Sequence, residues 1–201
     1  MKLDLKNNYR KTIRLKDYDY SQAGAYFVTI CTYNREYLFG EIVGEKMLMN
    51  GFGRIAYDEW FNTLQIRSNV ELDKFVVMPN HVHGIIIINC RGVLQYAPTS
   101  ELRNNHEMDI SRCHHTPKFR SPSQTIGAIV RGYKSAVTKK IGAYCNTPLL
   151  RNTPKTSVWQ RAYYEHVIRN EDDLNQVREY IINNPLKWEL DRENPNNIGK
   201  L

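Results

Sequence analysis

The sequence predicts an α+β domain in which helices cover an antiparallel sheet. Its 201 residues are 41% hydrophobic and 11% aromatic, which is enough for one globular domain with a real core. Runs rich in β-branched and aromatic residues alternate with segments whose apolar residues recur at helical spacing. The longest apolar stretch is interrupted by Pro79-Asn80, which is typical of the turn in a hairpin.

The first half of the chain predicts strands, one helix and a second hairpin. They are a strand at 25–32, a short hairpin of 37–43 and 45–49, a helix that begins after Asn50 or Gly51, and a hairpin at about 72–88. Five apolar residues are predicted to form the buried stripe of this helix: Ile55, Ala56, Trp60, Phe61 and Leu64.

The second half predicts a helix at 123–140, a strand at 163–168 and a helix at about 171–183. Asn170 is a suitable N-cap for the last helix, and Pro185 should end it near Asn184. The main elements follow the order βαββαβ, which is typical of a ferredoxin-like core. The N-terminal hairpin and the C-terminal helix are additions to it. In that topology the strand after Asn80 is central, and the C-terminal helix can cover the sheet beside it.

We predict one domain at residues 23–190, between a basic arm at 1–22 and a tail at 191–201. Residues 89–121 show no helix or strand periodicity and are rich in Gly, Asn, Ser, Pro and charged residues. Because a structureless connection of this length is unusual inside a compact domain, we interpret it as a loop insertion, functional or merely tolerated.

The four cysteines form no C-x-x-C pair, which argues against a zinc ribbon. His106, Cys113, His114 and His115 could build a small Zn²⁺ site. Their spacing fits no common zinc finger, and their surroundings are polar and unpatterned. Loop residues without a metal are the better interpretation.

Positive charge predominates, with 28 Lys and Arg against 21 Asp and Glu and a net charge of +7. This balance favours a polyanionic partner, although many basic proteins bind none. No stretch approaches the roughly 18–20 apolar residues of a membrane span, and the N-terminus lacks the apolar core of a signal peptide. We therefore expect a cytoplasmic protein that does not bind a membrane.

His81 and His83 open the most apolar strand of the chain. Side chains two apart in a strand project from the same face, so the two imidazoles could share one metal ion or one phosphate. A hydrogen-bonded pair is the usual explanation for an arbitrary His-x-His. Here two partly buried imidazoles in apolar surroundings would need partners, which favours a metal site.

Tyr180 and Asn184 are spaced i,i+4 on the last helix and therefore share one face. Beside a divalent metal, a tyrosine can attack a phosphodiester and form a phosphotyrosine. Asn184 could add an oxygen ligand to two imidazoles, a set that suits Mg²⁺ or Mn²⁺, although imidazole also suits Zn²⁺. From spacing alone, Tyr180 is one of 13 tyrosines and simple packing is the better interpretation.

Several motifs together resemble one known family. Residues 78–84 (MPNHVHG) resemble the His-hydrophobe-His motif of the HUH single-stranded DNA endonucleases. Residues 158–161 (VWQR), 164–170 (YEHVIRN) and 179–185 (EYIINNP) resemble the C-terminal signature of REP-associated tyrosine transposases, the single-tyrosine relatives of the transposases of the smallest insertion sequences. The opening strand at 24–30 fits the same family. The matches cover roughly residues 22–190, apart from the insertion.

The resemblance implies a metal-dependent enzyme that cleaves single-stranded DNA next to a hairpin. Cleavage would leave a 5′-phosphotyrosine on one fragment and a free 3′-OH on the other. By position, His81 and His83 would bind Mg²⁺ or Mn²⁺, Tyr180 would be the nucleophile and Asn184 the third ligand. Some relatives have Gln where this chain has Asn184, which is one methylene shorter. The resemblance also favours a monomer over a dimer that exchanges helices.

Three alternatives stay open at this point. A sheet with exposed aromatic residues could bind single-stranded nucleic acid without chemistry. A metal-dependent phosphoesterase could use activated water, with Tyr180 only structural. A domesticated relative could cleave its sites without mobilising DNA. Four basic residues of the second predicted helix are candidates for phosphate contacts or for a solvated outer face: Arg131, Lys134, Lys139 and Lys140.

Overall fold

The computed structural model describes residue 20 and residues 22–89, 125–145 and 157–197. Within these ranges the elements are β1 (Gly24–Cys31), β2 (Gly40–Val43), β3 (Lys46–Met49), α1 (Gly51–Ile66), β4 (Val70–Met78), β5 (His81–Ile88), α2 (Ile126–Cys145), β6 (Tyr164–Ile168) and α3 (Glu171–Asn183). Short 3₁₀ helices lie at Tyr33–Arg35, Trp188–Leu190 and Pro195–Asn197.

Four strands form one antiparallel sheet in the order β4-β5-β1-β6. This order and the βαββαβ sequence of elements are those of a ferredoxin-like fold, so the predicted fold class is confirmed. β2 and β3 pair only with each other, as the additional hairpin. The histidine-bearing strand β5 is central, between β4 and β1, as the topology required.

The two faces of the sheet bury different clusters. On one face, Tyr26 and Val28 of β1 pack with Trp60 of α1 and Ile129 of α2 in the larger core. On the other face, a smaller cluster joins residues of β1, β5 and β6 to α3: Phe27, Ile85, Ile168, Leu174 and Ile181. Because strand side chains alternate between faces, His81 and His83 lie on the α3 face with Ile85.

Gly84, directly after the histidine pair, allows α1 to pack behind that pair. A Cβ at this position would lie 2.3 Å from Cζ2 of Trp60. Trp60 stacks on Phe75 of the neighbouring strand, with ring centroids 4.4 Å apart. The indole therefore occupies the space that any side chain at Gly84 would need.

The predicted buried stripe of α1 is wrong at two positions. Phe61 and Leu64 are 40% and 39% exposed. The helix buries Ala56 and Trp60, as predicted, together with the acidic residue Glu59. Glu59 can be buried because its carboxylate pairs with Lys140 of α2. Hydrophobicity alone could not show that an acidic residue has a partner on the adjacent helix.

The last two helices differ in how closely they match their predicted ends. α3 has the predicted bounds, and the side chain of Asn170 caps it by accepting a hydrogen bond from the Asp173 amide at 2.8 Å. α2 continues to Cys145, five residues beyond the predicted end. Among the described residues, no helix combines the length and apolar character needed to cross a bilayer.

The chain stays packed against the domain after α3. Asp191, Glu193 and Asn194 are all at least nine-tenths buried. We call residues 191–194 the C-terminal strap. The predicted insertion beyond Asn89, the basic arm up to residue 19 and the possible Zn²⁺ cluster (His106, Cys113, His114 and His115) lie outside the described residues.

Candidate active site

His81 and His83 meet at the start of β5 with their Nε2 atoms 2.9 Å apart. Both side chains are buried, at 0% and 1% exposure. Two adjacent ligands of an octahedral ion with bonds of about 2.0–2.1 Å would be separated by about 2.9 Å. The pair therefore has the spacing expected of two neighbouring ligands of one hard cation.

The outer nitrogens of both rings have polar partners. Nδ1 of His81 donates to Oδ1 of Asn80 at 2.8 Å, and Nδ1 of His83 lies 2.9 Å from the Thr29 hydroxyl. An amide oxygen can only accept, so His81 carries its proton on Nδ1 and leaves Nε2 free to bind a metal. Burial, followed by the neighbouring His83, lowers the pKa of His81 well below its ordinary value. The ring is therefore held in its neutral, ligating form.

Asp191 of the C-terminal strap is a third possible ligand. Its Oδ2 lies 3.8 Å from Nε2 of His81 and 4.0 Å from Nε2 of His83. With the 2.9 Å between the two nitrogens, these separations define a triangle whose circumcentre lies about 2.1 Å from all three atoms. A divalent cation would fit between these three atoms. Among the described residues, His81, His83 and Asp191 form a group that could hold a metal ion.

The sequence offered no signal for Asp191. It is one of 21 acidic residues, and it falls in the segment predicted to be a tail. Burial alone would raise the pKa of Asp191. Its pKa is nevertheless lowered, because the carboxylate interacts with the two histidines, the Glu193 amide and Asn184. The Glu193 N–H donates to Oδ1 at 2.6 Å. An ionised, buried carboxylate beside two imidazole nitrogens is an arrangement that attracts a cation.

Asn184 lies beside this group and is 2% exposed. Its Nδ2 donates to Oδ2 of Asp191 at 2.7 Å. Its Oδ1 is buried and has no hydrogen-bond partner among the described residues. A buried amide oxygen without a partner is costly, so it is available to a cation or a bound water.

Tyr180 brings a hydroxyl to the same group, 3.3 Å from Nε2 of His83. Its ring packs edge-on against Phe27, and the side chain is 44% exposed. Burial, and then the charges of Asp191 and Glu193, raise the pKa of Tyr180 above its ordinary value. The phenol is therefore protonated at neutral pH.

Two further tyrosines, Tyr163 and Tyr164, lie directly before β6 and at its first position. The hydroxyl of Tyr163 donates to Glu165 at 2.7 Å. Tyr164 is paired with Thr29 of the neighbouring strand β1, and its ring packs against Phe27. The structure brings the hydroxyl of Tyr180 to the histidine pair.

The C-terminal strap is tied down by several groups. Asn80, besides holding His81, donates from Nδ2 to the Glu193 carbonyl at 2.7 Å. Arg35 pairs with the Glu193 carboxylate at 2.9 Å. The Tyr37 hydroxyl donates to Asn194 at 3.1 Å. The turn before β5 and the segment after β1 thus hold the strap in place over the histidines.

The four basic residues of α2 do not form one surface. Arg131 and Lys139 are exposed. Lys140 pairs with the buried Glu59. Lys134 points inward, and its ammonium donates to the carbonyl oxygens of residues 160, 161 and 162 at 2.8, 3.3 and 3.1 Å. Burial lowers the pKa of Lys134 to about 8, so it remains mostly protonated at neutral pH.

We expect Lys134 to stabilise the fold and Lys139 to contact phosphate. Lys134→Met should lower the free energy of unfolding by about 1–3 kcal/mol, because three carbonyl oxygens lose a charged donor. It should leave the salt dependence of single-strand binding unchanged. Lys139→Ala should flatten the slope of log K against log salt by about 0.7. Urea unfolding and salt titrations measure the two effects, and a flattened slope for Lys134→Met would contradict this assignment.

Comparisons with known proteins found a sequence relative and solved structures that are similar to this chain. No protein-family model matches the chain. A Haemophilus influenzae protein described as "Uncharacterized protein" is 39% identical over 186 residues, which is 92% of this chain and 93% of that protein. A solved "Structure of the REP associates tyrosine transposase bound to a REP hairpin" superposes with a TM-score of 0.53 at 18% identity, over 90% of this chain and 77% of that one. A structure from Deinococcus radiodurans R1 covers 85% of this chain and 95% of its own at 16% identity, with a TM-score of 0.39.

The chain therefore has the fold of a REP-associated tyrosine transposase, with a buried His-His-Asp group that could hold a divalent cation. By its sequence, it belongs to the same family as the Haemophilus influenzae protein.

Proposed function

We propose that the chain is a transposase-like enzyme that cleaves single-stranded DNA through Tyr180 and a divalent metal. The observation that supports this most directly is the Tyr180 hydroxyl, 3.3 Å from a ring nitrogen that faces the possible cation site. A nucleophile beside a cation site is the arrangement that covalent phosphoryl transfer needs. The structural similarity to a REP-associated tyrosine transposase supports the same class of reaction.

We propose His81, His83 and Asp191 as ligands of Mg²⁺ or Mn²⁺, with Asn184 Oδ1 completing the set. The circumcentre about 2.1 Å from three ligand atoms and the buried, unpartnered amide oxygen support this set. When bound, the cation would polarise the phosphodiester and offset negative charge beside Tyr180. Asn80 and Thr29 would keep the two imidazole rings directed at it.

Tyr180 would attack phosphorus with its phenolic oxygen. A new bond would form between this oxygen and the phosphorus at the 5′ end of the downstream fragment. The bond from phosphorus to the 3′ oxygen of the upstream fragment would break. The products would be a 5′-phosphotyrosine and a free 3′-OH. The phenolic proton can leave to solvent because the side chain is 44% exposed, and the departing 3′ oxygen takes a proton from water.

Geometry favours a single-stranded substrate. Tyr180 belongs to a stiff helix, so the phosphate must rotate to meet it, and an unpaired backbone has that freedom. The similar transposase structure contains a bound REP hairpin. We propose that a folded hairpin likewise sets the cleavage position in the substrate of this chain. Nothing in this arrangement requires a second copy of the chain, and we propose a monomer.

The direct test uses labelled oligonucleotides that carry short inverted repeats, chosen by searching the genomic DNA that flanks the gene. Each is assayed with Mn²⁺ as a single strand and annealed to its full complement, and the products are separated on denaturing gels. We expect cleavage of the single strand, with a protein adduct. Cleavage without an adduct would instead indicate a water-using phosphoesterase, and binding without cleavage a binding module. Equal cleavage of both forms would overturn the preference for single strands.

A further inference from the structure

Part of the α3 face of the sheet is open beside the proposed active site. α3 is anchored toward β4, where Arg178 pairs with Asp73 at 2.7 Å. At the opposite edge of the sheet, Tyr164 at the start of β6 is 43% exposed. Because Tyr164 pairs with Thr29 across β1, its ring lies on the face that carries the histidines.

A groove runs between Tyr164 and the C-terminal strap. Its lining includes Thr29, Cys31, Arg35, Tyr163, Tyr164 and Glu193. Thr29 forms its floor and contacts Nδ1 of His83 at 2.9 Å. The groove therefore lies beside the histidine pair, on its β6 side.

We propose that a base of the substrate strand stacks on the exposed ring of Tyr164 at the rim of this groove, close to the phosphate that Tyr180 attacks. This inference rests on the proposed function and adds a nucleotide-binding subsite to it. Phe27 supports both tyrosines edge-on, with ring centroids 6.2 Å from Tyr164 and 5.9 Å from Tyr180. A half-exposed ring held by such a contact presents a rigid surface for stacking.

The distance between the two tyrosines suits neighbouring nucleotides. Since both rings pack on Phe27, their centroids are at most 12.1 Å apart. A stacked strand rises about 3.4 Å per nucleotide, so about three nucleotides at most separate the two rings. A base on Tyr164 would thus fix the strand near the scissile phosphate without contacting the metal ligands.

Tyr163, one residue before β6, also lines the groove, but its hydroxyl bonds Glu165 and its ring lies under the Lys134 ammonium. Tyr144, at the end of α2, is the matched control, because it is 45% exposed and packs against Phe52 of α1.

The test is photocrosslinking of the full chain carrying Tyr180→Phe, without added metal. The probe is a single strand of about 16 nucleotides containing 5-iododeoxyuridine throughout. After trypsin, we expect the crosslink on residues 162–169, and specifically on Tyr164. It should disappear in Tyr164→Leu and persist in Tyr144→Leu.

Affinity for the same strand gives a second readout. Tyr164→Leu should raise Kd between about five-fold and about 150-fold, the effect of losing one stacked base. Tyr164→Phe and Tyr144→Leu should leave Kd nearly unchanged. Crosslinks confined to other peptides, an unchanged Kd for Tyr164→Leu, or no single-strand binding at all would each overturn the inference.

These readouts are independent of cleavage. A wild-type chain that crosslinks through Tyr164 but never cleaves would refute the catalytic proposal and leave the subsite standing. A chain that cleaves normally with Tyr164→Leu, at unchanged Kd, would refute the subsite alone.

Discussion

Replacing Tyr180 with phenylalanine is expected to abolish cleavage and the covalent adduct while leaving folding and DNA binding nearly intact. The change removes one hydroxyl and keeps the ring that packs against Phe27. Removing the nucleophile of a covalent mechanism should lower the rate by at least roughly 10⁴-fold. Gel assays of cleavage and circular dichroism of the variant measure the two parts of this expectation.

Mass spectrometry of the trapped adduct identifies the nucleophile directly. Trypsin separates the candidates, since Tyr180 falls in the peptide 179–187 and both Tyr163 and Tyr164 fall in 162–169. We expect the nucleotide on Tyr180. Tyr163→Phe is the matched control, because its hydroxyl bonds Glu165 and not the histidine pair, and it should retain activity. Recovery of the nucleotide on 162–169 would refute the assignment.

Removing one metal ligand is expected to abolish both Mn²⁺ binding and cleavage. His81→Ala, His83→Ala and Asp191→Ala each delete one of three atoms that surround the proposed cation position. The two ligands that remain, either one imidazole and one carboxylate or two imidazoles, cannot hold a hard cation in a fixed place. Calorimetric titration with Mn²⁺, in the absence of DNA, measures this loss separately from catalysis.

Smaller losses should follow changes around the ligands. Asn80→Ala and Thr29→Val should weaken Mn²⁺ binding by about 10- to 100-fold, because each leaves an imidazole without the group that orients it. Asn184→Ala should cost less than loss of a histidine, since a water can take the place of its oxygen.

His166→Ala is the matched control for these substitutions. This histidine pairs with Asp173 at 2.9 Å, away from the histidine pair, and its loss should not change Mn²⁺ affinity. Cleavage by the wild-type chain that resists EDTA would rule out the metal, though not the tyrosine.

The sequence by itself determined the features that depend on local periodicity. Alternation within a strand places His81 and His83 on one face, and the i,i+4 spacing does the same for Tyr180 and Asn184. The Asn170 cap and Pro185 set the ends of α3. Few sheet topologies are compatible with the element order βαββαβ, and β5 is a central strand in the observed one.

Tertiary structure alone decided which distant residues meet. Asp191 lies in a segment without periodicity, and it reaches the histidines because Asn184 bonds its carboxylate while Asn80 and Arg35 hold the adjacent Glu193. Lys134 looked like an exposed cation, yet its ammonium serves three carbonyl oxygens of the chain before β6. Glu59 is buried because Lys140 lies opposite on α2. In each case the decisive partner is far away in the chain, and the energy of burying a polar group depends on that partner more than on its sequence neighbours.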